Sequence, residues 1–172
     1  GVRAQVHHGG FDPLPYNPYV ANLIVWGGAL SGAAEASSAP DGLKAKELHR
    51  VLRPCGGVAV GLGRDEASAA VRQWLRDGGV PDAEVSVARA GVLVRRGKLP
   101  GAGEWTGPYS DMGRTSCSED ALARLPLGTL WWGGPGPSRV VSRHWRSPVP
   151  LFANGMLYMQ GQHDVIGVDA YN

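Results

Sequence analysis

The hydrophobic period of the chain changes near residue 98, and no single layer of secondary structure accommodates both halves. Before that point apolar residues recur at helical spacing, first at Ala45, Leu48, Val51 and Leu52 and again at Ala67, Ala70, Val71, Trp74 and Leu75. After it no helical stripe remains. The apolar residues fall instead in short runs, "GTLWWGG", "VPLF", "MLYMQG" and "VIGVDA", broken by glycine, proline and asparagine. With 26 glycines and 13 prolines in 172 residues, tight turns are expected throughout.

In the first half, "NLIVW" (Asn22 to Trp26) and "GVAVGLG" read as short buried strands. The first helix is expected to begin at an Asp41 N-cap and to stop at Pro54 and Gly56-Gly57. The second is expected to begin at Asp65 and to end at Gly78-Gly79. "AEVSVAR" and "GVLVRRG" then form an antiparallel hairpin turning near Ala90-Gly91. Strand, helix, strand, helix, hairpin is the order of the second half of a doubly wound α/β sheet closed by an antiparallel strand.

"RRGKLPGAGEW" marks a joint, since Pro100, Gly101 and Gly103 interrupt every pattern. Beyond it, several short strands with regular turns indicate a sandwich, barrel or propeller. The clearest local signal is Asn154-Gly155 between "PLFA" and "MLYM". It predicts a type I′ hairpin with both central residues at positive φ and Phe152 facing Leu157.

Two series of motifs carry a family resemblance. "LPY" at Leu14 to Tyr16 and "HRVLRPCGG" at His49 to Gly57 resemble the segments around the fourth and fifth strands of class I S-adenosylmethionine-dependent methyltransferases. "W-x-x-x-Y-x-D-x-G-R-T-S-x-S" from Trp105 to Ser118, with "PLFANGMLYMQGQHDVIGVDAYN", resembles quinoprotein-like propeller blades. The whole chain, with its "LPGAGEWT" joint and "PLGxLWxGGP" segment, resembles bacterial PQQ-binding-like β-propeller repeat proteins of planctomycete type. The resemblance implies a partial Rossmann-like methyltransferase domain over residues 1–98, a linker over 99–104 and the first propeller blade or blades over 105–172. It implies that the chain is a fragment of a two-domain protein, of marginal stability by itself. Trp131 and Trp132 would then pack between neighbouring blade sheets.

The cofactor implied is S-adenosylmethionine, bound by the full-length protein, and the positions matching its site are Asp12, Leu14, Trp26 and Gly27. Two of them depart from the family pattern. The usual adenine-binding acid falls at Gly10, leaving Asp12 as the nearest carboxylate, and the usual polar residue after the strand is replaced by Trp26-Gly27-Gly28. No residue is singled out as catalytic. A PQQ site needs residues from several blades and is not expected of these residues alone. Two functions follow, methyl transfer to an unknown acceptor or a non-catalytic scaffold that meets a protein partner through the propeller.

Several classes are set aside. A net charge of +2 without long charge runs gives no case for nucleic-acid binding. No run approaches the roughly 18 apolar residues of a membrane span. Cys55 and Cys117 form no CxxC pattern, and Cys55 reads as a small packed residue. His7, His8, His144 and His163 lack acidic or histidine partners at ligand spacing and read as solvated. "GLGRDE" lacks phosphate-loop spacing. Compartment stays open.

Overall fold

The structure is a computed structural model that describes residues 4, 6–27, 42–62, 68–88, 91–142 and 148–172. The chain divides into two compact units, Gly1–Arg96 and Gly97–Asn172.

In the first unit, β1 (Leu23–Trp26) lies parallel to β2 (Val58–Leu62) with Leu23 beside Val58 and Trp26 beside Gly61. β4 (Gly91–Arg95) runs antiparallel to β2, and β3 (Val85–Ala88) antiparallel to β4, giving the order β1-β2-β4-β3. Because side chains alternate along a strand, this register places Ile24, Trp26, Ala59, Val92, Val94 and Val85 on one face. Those residues form one core cluster with Leu48 of α1 (Ala45–Val51) and Val71 and Leu75 of α2 (Ser68–Asp77). Both helices therefore cover the same face. Each fully buried leucine contributes about 1.5–3 kcal/mol to holding them there.

The close fit between β1 and β2 has a specific cause. The Trp26 ring lies where a side chain at position 61 would sit, so residue 61 is glycine. Trp26 also packs against Trp74 of α2, ring centroids 6.1 Å apart. The end of α2 is a Schellman motif. Gly79, at φ +80°, donates its N–H to the Arg76 carbonyl, and Val80 donates to Leu75 at 3.0 Å. At the end of α1, the buried Arg96 guanidinium donates to the carbonyls of His49, Arg50 and Leu52 and lies 4.9 Å from the centre of the Tyr19 ring. A cation at the carbonyls of this last turn also complements the helix dipole.

The second unit holds β5 (Leu151–Ala153), β6 (Met156–Gln160) and β7 (Val165–Asp169) in an antiparallel meander. Asn154 and Gly155 have φ of +52° and +77°, and Phe152 faces Leu157, as the turn chemistry predicts. Trp105 pairs with Phe152 on the outer edge of β5 through two backbone hydrogen bonds of 2.8 Å.

Two expectations are overturned. The described residues are mostly β, with two sheets and two α-helices, and do not form a doubly wound α/β sheet. Such a sheet needs successive parallel strands with helices on both faces. Here only β1 and β2 are parallel, and both helices pack on one face. The sequence order of elements looked doubly wound because it does not reveal which hairpin strand joins β2. That strand is β4, entering antiparallel. Nor is there propeller closure among the described residues, since the second unit's described strands make one three-stranded sheet.

"GTLWWGG" forms no strand. Trp131 is anchored through its side chain, its indole N–H donating to the Ala170 carbonyl at 2.9 Å. Trp132 is 95% exposed, so it packs between no sheets. The expected helix starts at Asp41 and Asp65 lie outside the described residues, as do His144 and part of the Ala90-Gly91 turn. The first helix begins after Lys44, which makes no side-chain cap.

Candidate functional site

The four positions matched to a methyl-donor site are held by the first unit itself. Asp12 forms an ion pair with Lys44, which raises the pKa of the lysine ammonium above its ordinary value. The Leu14 N–H donates to Glu47 Oε2 at 3.0 Å, and its side chain packs against the core. Trp26 is buried in that core, and Gly27 lies against Leu62. Asp12 and Leu14 thus come together at the start of α1, whereas Trp26 and Gly27 sit at the end of β1.

The segment from Leu14 to Tyr16 is clasped by two residues of α1. Glu47, only 7% exposed, accepts from Arg50 Nε at 3.0 Å and from Nη2 at 2.8 Å as well as from Leu14. Arg50 in turn donates to the carbonyls of Tyr16 at 2.9 Å and Leu14 at 3.0 Å. The Arg50 guanidinium, assisted by the Leu14 amide, outweighs burial and holds the Glu47 carboxyl below its usual range. This arrangement fixes a loop on a helix.

In the second unit, a groove of about 800 Å³ is lined by residues 106–108, 148, 149, 151 and 158–165. The strand register explains its floor. Leu151, Tyr158, Gln160 and Val165 project from one face of the meander, while Phe152, Leu157, Met159, Ile166 and Val168 project from the other. Tyr158 is paired with Gly167, where an added Cβ would lie 3.5 Å from the ring and 3.7 Å from the Met156 methyl. Pro108, Pro148 and Val149 add apolar walls, and Gln162, His163 and Asp164 supply a polar end. The Asp164 carboxylate faces Arg139 at 3.3 Å, both side chains more than half exposed. An apolar groove with a few polar groups at one end is the usual form of a binding site.

Among the described residues, no three His, Cys, Asp or Glu side chains are grouped to hold a metal ion. His7 and His8 are exposed, with His7 edge-on to Tyr16 at 5.5 Å. Cys55 is half-buried and Cys117 exposed, and no disulfide joins them. No described helix is long and apolar enough to cross a membrane.

The groove is absent from the sequence-level candidates. Its lining comes from three separated segments, so no local motif announces it. One signal was present: "MLYMQ" is apolar at both phases of the strand alternation, which a sheet with one solvated face does not require. No known family model, curated protein or solved structure matches the chain.

Proposed function

We propose that the chain is an interaction protein whose second unit holds an apolar segment of a partner protein in this groove. The observation that carries the reading is the apolar floor of Leu151, Tyr158 and Val165, which faces outward on a sheet whose other face is also apolar. Exposed contiguous apolar surface of this kind marks interaction sites. The groove's walls and floor come from the 106–108 segment and all three strands, which offers apolar side chains of a partner segment several contacts.

Methyl transfer rests on the sequence resemblance alone. The engagement of Asp12 with Lys44 and the burial of Trp26 against Trp74 favour the binding reading over it.

Selection of a random peptide library on the immobilised whole chain tests the proposal. Peptides with apolar anchors should be enriched, and Tyr158→Glu should abolish their binding. Absence of enrichment, or binders indifferent to Tyr158→Glu, would overturn it.

A further inference from the structure

The two edges of the second unit's sheet are treated differently. The outer edge of β5 is occupied, since Trp105 and Phe152 exchange both backbone hydrogen bonds. β7 is the other edge strand, and among the described residues no strand pairs with its outer side. The hydrogen bonds flanking the β6–β7 ladder establish which of its groups point outward. Gly161 N–H donates to the Asp164 carbonyl at 2.9 Å, and Ala170 N–H donates to the Gly155 carbonyl at 3.0 Å. Antiparallel pairs alternate between bonded and non-bonded, so Ile166 and Val168 exchange bonds with β6. Val165 and Gly167 therefore direct their N–H and C=O groups away from the sheet.

Natural edge strands are blunted by lysine, proline or a bulge. β7 reads "VIGVD", has none of these, and keeps an unbroken register with β6. Val165 is 76% exposed. The residues with outward-facing backbone groups are also those on the groove face. A strand added there antiparallel would place the side chains opposite Val165 and Gly167 on that same face. The residue opposite Gly167 would come beside the Tyr158 ring, a pairing in which an aromatic or other large apolar side chain compensates for the glycine. The charge pattern completes the template. Asp164 precedes β7 at the polar end of the groove, where its carboxylate is paired with Arg139. That pair is exposed and therefore exchanges readily.

We infer that β7 accepts an extended segment of a partner protein as a fourth, antiparallel strand, with alternating large apolar side chains in the groove and a basic residue beside Asp164. The inference rests on the groove reading and adds the backbone pairing, the alternation and the charge of the occupant.

The probe is a short blocked peptide in which phenylalanine and threonine alternate between terminal lysines, titrated calorimetrically into the whole chain. Its control carries N-methyl groups on the phenylalanines, whose amides would face β7. The unmodified peptide should bind. N-methylation should weaken it about tenfold or more, as expected for lost backbone hydrogen bonds, and Val165→Lys, which charges the exposed edge, should do the same. Equal binding of both peptides would overturn strand addition while leaving the groove reading intact. Equal binding that also survives Tyr158→Glu would overturn both. Absence of binding by the unmodified peptide would overturn strand addition, and the groove reading would then stand or fall with the library selection.

Discussion

Asn154 and Gly155 show how far one local constraint reaches. Both adopt positive φ, a region that L side chains enter at a cost of about 1–2 kcal/mol and that β-branched residues enter least well. The turn is also held from outside, because Glu104 accepts the Asn154 N–H at 2.9 Å while paired with Lys98 at 2.7 Å. Gly155→Val should therefore lower the urea midpoint of the β5–β6 hairpin by an amount equivalent to about 1–2 kcal/mol, whereas Asn154→Gly should be within a few tenths of neutral. Far-ultraviolet dichroism of the whole chain in urea checks both. A Gly155→Val protein as stable as the parent would contradict the turn assignment. The same register carries Tyr158 and Leu151 to the groove face, so a slip of one residue would turn the floor to the opposite side.

At the level of elements, α1 does more than fill the core. Its Glu47–Arg50 pair holds the Leu14–Tyr16 segment, and the Glu47 carboxyl titrates below its ordinary value of 4.5. A folded-state pKa lower than the unfolded one means that the stabilisation is complete above about pH 4.5. It is lost as pH falls from there through the folded value. Glu47→Gln should thus lose stability near neutral pH and show a shallower decline in acid, measured as urea midpoints across pH 3 to 7. Parallel curves for the two proteins would exclude Glu47 as the group responsible. Elements governed by adjacent residues were legible in the sequence. "NLIVW" becomes β1, Gly78-Gly79 ends α2, and Asn154-Gly155 turns the hairpin, each through chemistry confined to neighbours. Elements that depend on distant partners were not. Leu130 and Trp131 have strand-like composition, yet the indole of Trp131 bonds to Ala170 and no ladder forms. The place of Trp26 is decided by Gly61 and Trp74, far along the chain.

For the whole molecule, the buried apolar side chains among the described residues all lie between Trp26 and Val94, in the first unit. The second unit's strands are at most half-buried, and its loops are held largely by polar bonds, such as those that Asp120 accepts from the amides of Gly103, Leu122 and Ala123. Native-state hydrogen exchange should accordingly find the amides of β2 and β4 slowest and those of β5–β7 opening at lower free energy. Equal protection of β6 and β2 would show that the second unit has a core of its own. Against such a soft scaffold, a bound strand would add both backbone pairing and apolar burial, which links partner binding to the order of the unit. The most direct measurement is amide chemical-shift mapping of the isotopically labelled whole chain during titration with a library-selected peptide. Shifts should concentrate at Thr106, Leu151, Tyr158 and Val165, with newly slowed exchange at the Val165 and Gly167 amides. Shifts centred instead on Asp12, Leu14 and Gly27, with the groove unmoved, would contradict the account.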